Sequence, residues 1–127
     1  MFSRFFRSIV LAGTLAFGVA TSASMAVARQ NYDGNWSVLV ITQSGACDRS
    51  YRYGVQISDG NLFYEGAAPV NLQGRVARDG SVRVSVAAGE QRADGSGRLF
   101  GDHGGGSWRG QGSAGTCAGR WEAERRE

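Results

Sequence analysis

The sequence predicts an all-β fold: a small antiparallel up-and-down meander of about eight strands that closes into a barrel. Three observations support this class. From residue 35 onward, apolar and polar residues alternate with a period of two, as in strands with one buried face. Turn residues interrupt the alternation about every 8 to 15 residues. No segment after residue 28 has a helical period, so strands and turns account for the chain.

The first three strands carry the clearest pattern. "NWSVLVITQ" places Trp36 and Val40 on one face, and "SYRYGVQIS" alternates strictly from Tyr51 to Ile57. Asp59-Gly60 then predicts a type I′ hairpin turn, because both central positions of that turn need a positive φ. "NLFYE" follows as the third strand.

The middle of the chain predicts two further strands. Ala67-Ala68-Pro69 breaks the pattern, "VNLQGRVA" and "SVRVSVA" alternate, and Asp79-Gly80 between them is a second turn signal. "GEQRADG", residues 89–95, is polar throughout. We therefore predict a loop there, and it is the best candidate for a protruding one.

The last three strands are predicted in "SGRLFGD", "GGSWRGQ" and "TCAGRWEAER". Their inward faces alternate small and large residues, as in Gly106-Trp108-Gly110. This pattern suits a tightly curved sheet, where glycine permits coiling and a neighbouring aromatic ring covers it. It favours the barrel, and a two-sheet β-sandwich is the alternative.

The N-terminal 28 residues predict a secretory signal peptide. Arg4 and Arg7 precede an apolar run of about 13 residues, too short to span a bilayer, and Ala26-Val27-Ala28 offers a cleavage site. Residues 29–127 would then form a single barrel-like domain, periplasmic or secreted, without a membrane span. Loss of Arg4 and Arg7 lowers the net charge from +3 to about +1, which gives no reason to expect a nucleic-acid partner.

The two cysteines, Cys47 and Cys117, predict one disulfide. In an oxidising compartment two cysteines usually pair, and a bridge closing about 70 residues would stabilise the fold by roughly 4 kcal/mol. The alternative, two reactive thiols, lacks a C-x-x-C spacing. In a closed meander, a cysteine after the first strand and one opening the last would meet at the closing seam.

The sequence offers little for catalysis. His103 is the single histidine, lies among glycines, and cannot build a metal site with paired cysteines. Asp102 and His103 have no nucleophile in a suitable context, since Ser107 is merely close in sequence. "HGGGSW" lacks the nucleophile elbow that accompanies an oxyanion loop. We therefore expect no enzyme, no metal and no cofactor.

The aromatic residues are predicted to form the structural core. A rival interpretation makes some of them the lining of a pocket at the barrel mouth, which eight strands are just wide enough to form. The core residues named on this basis are Trp36, Tyr51, Tyr53, Trp108 and Trp121.

Three tryptophan motifs recur in the domain: G-x-W, G-x-G-x-W and C-x-G-x-W-x-A-x-R. They comprise Gly34 and Trp36; Gly104, Gly106 and Trp108; and Cys117, Gly119, Trp121, Ala123 and Arg125. In these motifs the domain resembles, over its whole length, a group of short exported bacterial proteins of unknown function, some labelled large exoprotein involved in heme utilisation or adhesion. Such residues build a fold, and the resemblance supplies no binding site.

These observations favour a non-enzymatic binding or interaction module of the cell envelope, whose partner is an envelope or host protein or a small ligand. A barrel that inhibits a hydrolase is the alternative, and a carrier of heme or another small ligand is less favoured. A heme would need an axial ligand from His103, Tyr51, Tyr53 or Tyr64, so we expect no tight heme binding. A wide pocket would favour a carrier, and a protruding loop an inhibitor.

Overall fold

The computed structural model describes residues 31–126, so the predicted signal peptide lies outside the described residues. The described chain is all β, with eight strands in sequence order. They are β1 (Gly34–Ser44), β2 (Ser50–Ser58), β3 (Asn61–Glu65), β4 (Asn71–Val76), β5 (Ser81–Ala88), β6 (Gln91–Phe100), β7 (His103–Gly112) and β8 (Gly115–Arg125).

Each strand pairs antiparallel with the next, and β8 returns to pair with β1. The closing seam runs from Trp36 opposite Arg125 to Thr42 opposite Gly119, and a bulge follows between Thr42 and Ser44. This closed order confirms the barrel and excludes the sandwich. The β3–β4 seam is the shortest, with Asn61 opposite Arg75 as its paired position.

The first predicted turn has the expected geometry. Asp59 has φ 53° and Gly60 φ 79°, as a type I′ turn requires. At the second site the chain uses a longer connection, in which Ala77 N–H donates to the Ser81 carbonyl and Gly80 takes φ 94°. Both Asp-Gly pairs thus mark the hairpins that the sequence predicts.

The prediction of a loop over residues 89–95 is wrong. The chain turns tightly at Gly89 and Glu90, and β6 begins at Gln91, paired to both β5 and β7. The segment looked like a loop because its inward residues, Ala93 and Gly95, are too small to give a visible apolar alternation. His103 opens β7, and the tip of the β6–β7 hairpin is formed by Gly101 and Asp102.

The predicted disulfide is confirmed. Cys47, in the β1–β2 loop, is bonded to Cys117 on β8, with an S–S distance of 2.06 Å. Gly45 has φ 99°, and a Cβ at this position would lie 2.7 Å from the Cys117 Sγ. The bridge therefore fastens the β1–β2 loop to the seam that closes the barrel.

Two tryptophans lie across glycines on neighbouring strands, as the small–large pattern predicts. Trp108 pairs with Gly119 on β8 and reaches β1, where its Nε1 donates to the Ile41 carbonyl at 3.1 Å. Trp121 pairs with Gly106 on β7 and donates at 3.1 Å to Ser96 O on β6. A Cβ at Gly97 on β6 would lie 2.6 Å from the Trp121 ring, whereas a Cβ at Gly106 or Gly119 would meet the backbone of a neighbouring strand.

The barrel has two different ends. The closed end carries the β2–β3, β4–β5 and β6–β7 connections, and the open end carries the other four. The buried apolar residues lie mostly toward the closed end: Tyr32, Trp36, Val55, Ile57, Val76, Val82, Leu99, Trp121 and Ala123. No helix in residues 31–126 has the length and apolar character to cross a bilayer.

Residues before β1 and at the end of β8 cover the closed end. Tyr32 is buried, and the Asp33 carboxylate accepts the backbone N–H groups of Asp59 and Gly60 at 2.9 and 3.3 Å. The Arg125 guanidinium stands 5.1 Å from the centre of the Trp36 ring and donates to the Asp102 carboxylate at 2.9 Å. It also donates to backbone carbonyls on both sides of this end.

Candidate functional site

A cavity of about 530 Å³ occupies the interior of the barrel toward the open end. Its floor is the inner surface of the buried cluster, including Trp36, Leu99 and Trp121. Even these floor residues keep a small exposure, 2% for Trp36 and 7% for Trp121, because they face the cavity. The barrel therefore encloses a cavity on the open-end side of the buried cluster.

One side of the cavity is built from residues with little or no side chain. On β5, β6 and β7 five of the inward positions that line the cavity hold alanine or glycine, and the larger side chains of Val84, Val86, Gln91 and Trp108 line it beside them. We call this set the small-residue wall: Ala88, Ala93, Gly95, Gly110 and Gly112. In small barrels, inward residues of ordinary size would fill the interior.

The opposite side carries three tyrosines, which we call the tyrosine cluster: Tyr51 and Tyr53 on β2, and Tyr64 on β3. The Tyr51 and Tyr53 rings stack at 6.0 Å between centroids, and Tyr64 meets Tyr53 edge to face at 6.0 Å. These separations are favourable for aromatic pairs. The cluster presents ring faces and hydroxyl groups to a cavity that is otherwise mostly aliphatic.

Two of these hydroxyls are held in the neutral form. Partial burial raises the pKa of Tyr53 above its usual value, with a smaller contribution from Tyr64. Removal from water also raises the pKa of Tyr51, and the neighbouring Asp48 carboxylate raises it further. Both effects disfavour the phenolate of these two residues.

The β1–β2 loop brings Asp48 to the cavity mouth. The Thr42 hydroxyl donates to the Asp48 carbonyl at 2.6 Å, and the Thr42 N–H donates to the Arg49 carbonyl at 2.9 Å. The disulfide at Cys47 holds the preceding residue. Three attachments thus fix the backbone of the loop that carries Asp48.

The residues predicted as core divide between the two ends. Trp36 and Trp121 are buried, and Tyr53 and Trp108 pack partly buried against the same cluster. Tyr51 lies outside that cluster and lines the cavity, because its position on β2 is closest to the open end. Both interpretations of the aromatic residues thus apply, each to a different level of the barrel.

The residues considered for catalysis do not assemble into a site. Asp102 is engaged by Arg125, while His103 and Ser107 are exposed on the outer face of β7, about 13 Å apart along the strand. Within residues 31–126, no group of three or more histidine, cysteine or carboxylate side chains could hold a metal ion. The interior cavity has the size and enclosure to hold a small ligand.

The sequence reasoning missed the small-residue wall and the role of Asp48. Ala93 and Gly95 were assigned to a loop, and Asp48 had no distinguishing local pattern. A signal did exist: a period-two series of small residues between Ala93 and Gly97 continues the inward face of Leu99.

Comparison of the chain with protein-family models, with curated proteins and with solved structures finds no match.

Proposed function

We propose that this protein is a non-enzymatic binding protein of the periplasm or extracellular space, which holds one small, largely apolar molecule inside its barrel. The observation that carries this proposal is the 530 Å³ cavity with its aliphatic walls and a few polar groups near its mouth. Ligand pockets typically have this size and this combination of surfaces. The N-terminal signal pattern and the disulfide support the location.

Two other functions have less support. The hydrolase-inhibitor alternative depended on a protruding loop at residues 89–95, and that segment is a tight turn followed by a strand. Heme is not the ligand we propose. His103 lies at the closed end, away from the cavity, so of the four candidate axial ligands the three tyrosines line it and the histidine does not.

A fluorescence titration tests the proposal. The oxidised protein, residues 29–127, is titrated with N-phenyl-1-naphthylamine, an uncharged dye that emits strongly when it leaves water. We expect saturable enhancement with one site per chain. Ala93→Phe should abolish binding by filling the cavity from the small-residue wall.

The matched control is Ala87→Phe, which makes the same change on a half-buried alanine of the outer face of β5. This variant should bind the dye like the wild type. Failure of the wild type to bind, or equal loss of binding in both variants that remain folded by circular dichroism, would contradict the proposal.

A further inference from the structure

One polar part of the cavity lining lies where the tyrosine cluster meets the β1–β2 loop, and Gln91 and Gln111 supply polar groups from β6 and β7. Tyr53 stands between Tyr51 and Tyr64, and each adjacent pair is 6.0 Å apart. Three rings so arranged place several aromatic faces and edges around one small volume. The negative face of an aromatic ring attracts a cation that lies within about 6 Å of its centre.

The charged residues at the mouth of the cavity also bear on whether a cation is preferred. Three charged residues border the cavity. Arg92 and Asp94 belong to the outward face of β6, where Asp94 accepts the Ser85 hydroxyl. Asp48 differs, because its carboxylate lies beside the inward ring of Tyr51 and raises the pKa of that hydroxyl. Asp48 and Arg49 are both exposed, but Asp48 lines the cavity and Arg49 does not.

An anionic ligand would find no suitable partner in this arrangement. The chain has no lysine, and Arg92, the arginine that borders the cavity, is exposed and belongs to the outward face of β6. A carboxylate or sulfate would lose its hydration and approach Asp48. A positively charged group would keep part of its stabilisation through the ring faces and would be attracted by the carboxylate.

We infer that the cavity binds an amphipathic organic cation, with its ammonium or quaternary ammonium group between the tyrosine cluster and Asp48 and its apolar body along the small-residue wall. This inference rests on the proposed function and names the chemical class of its ligand. The tyrosine cluster supplies the cation–π contacts, Asp48 supplies the counter-charge, and Thr42 with the disulfide keeps Asp48 in place.

The test compares three ligands with one eight-carbon chain and different head groups: octyltrimethylammonium, 1-octanol and octyl sulfate. Each displaces N-phenyl-1-naphthylamine from the wild-type protein at low ionic strength. We expect the cation to compete at least about tenfold more strongly than the alcohol, and the sulfate to be the weakest.

Two variants locate the head group. Asp48→Asn should weaken octyltrimethylammonium about fivefold and leave 1-octanol unchanged, because it removes a charge and preserves shape. Asp59→Asn, the same charge change in the exposed turn at the closed end, should change neither affinity. Tyr51→Phe should retain cation binding, since the ring face remains, whereas Tyr51→Leu should weaken it.

The outcomes distinguish a failure of the cation inference from a failure of the proposed binding function. If the dye binds but 1-octanol or octyl sulfate competes as well as the cation, the cation inference is wrong and the binding function stands. Equal effects of Asp48→Asn and Asp59→Asn would also overturn it, because they would indicate a general charge effect. If neither the dye nor any octyl compound binds, both the inference and the proposed function fail.

Discussion

The closed and open ends of this barrel are built from the same eight strands with the same alternation. They differ in how completely their inward side chains fill the interior. At the closed end Trp36, Ile57 and Leu99 pack into a buried cluster, and Arg125 covers it from outside. At the open end small residues such as Ala93 and Gly110 line the cavity. Strand pairing is continuous through both ends of β6 and β7, so backbone hydrogen bonding maintains this side of the barrel where side-chain packing is sparse.

Stability and binding therefore depend on different ends of this small fold. Hydrophobic burial scales with the apolar area removed from water, and the buried cluster provides most of it. The open end contributes less burial and keeps its shape through strand pairing, the disulfide and the Thr42 contacts with the β1–β2 loop. Substitutions at the two ends should therefore have different consequences.

The largest expected effect comes from the two tryptophans. Trp121 and Trp108 each cover a glycine and donate to a carbonyl at 3.1 Å, but Trp121 is buried and Trp108 is half-buried. Trp121→Ala should lower the free energy of unfolding by about 3 to 5 kcal/mol, and Trp108→Ala by about 1 to 3 kcal/mol. Urea denaturation measures both values. A larger loss of unfolding free energy for Trp108→Ala than for Trp121→Ala would contradict this difference between the two ends.

Removal of the disulfide should have the next largest effect. Cys117→Ala, made together with Cys47→Ala to avoid a free thiol, should cost about 2 to 5 kcal/mol by releasing a constraint on the unfolded chain. Because Cys47 also holds the loop that carries Asp48, the double variant should bind octyltrimethylammonium more weakly while it is still folded. Thermal melting and dye displacement give the two results. An unchanged melting temperature would contradict this role of the bridge.

Arg125 tests how the closed end is covered. Its side chain is 19% exposed, contacts the Trp36 ring and donates to Asp102 and to three backbone carbonyls. Arg125→Met should cost about 1 to 3 kcal/mol and leave dye affinity unchanged, because the cavity lies at the other end. Arg126→Met is the matched control on the next, exposed residue. A variant that loses dye binding without loss of stability would show that the ends are coupled.

Alkaline pH should act on the open end and produce the smallest effect. The pKa of Tyr53 is raised in the folded chain, so at pH above the ordinary value near 10 the unfolded chain loses a proton that the folded chain retains. Stability is therefore complete below that value and falls as pH rises toward the folded pKa. The difference in phenolate absorbance between wild type and Tyr53→Phe isolates this hydroxyl. An identical midpoint in native and denatured protein would contradict its partial burial.

Much of the fold could be predicted because local patterns determine it. Alternation gave strands such as Ser50–Ser58, Asp59-Gly60 gave the first hairpin, and the cysteine positions indicated the closing seam. The first half of β6 was missed because Ala93 and Gly95 carry too little apolar surface to reveal alternation. The cavity arises where the strand register brings small residues of different strands together, such as Ala93 and Gly110, and no local pattern reveals this. The placement of Asp48 beside Tyr51 depends on a loop held by distant residues.

The most direct test of the central claim, that the barrel is packed at one end and hollow at the other, is mapping of amide chemical shifts by NMR during titration with octyltrimethylammonium. We expect saturable shifts at Asp48, Tyr51 and Ala93, and none at Asp59 or Gly101 in the turns of the closed end. Shifts spread over the closed end or the outer faces of the strands, or the absence of any saturable shift, would contradict the account.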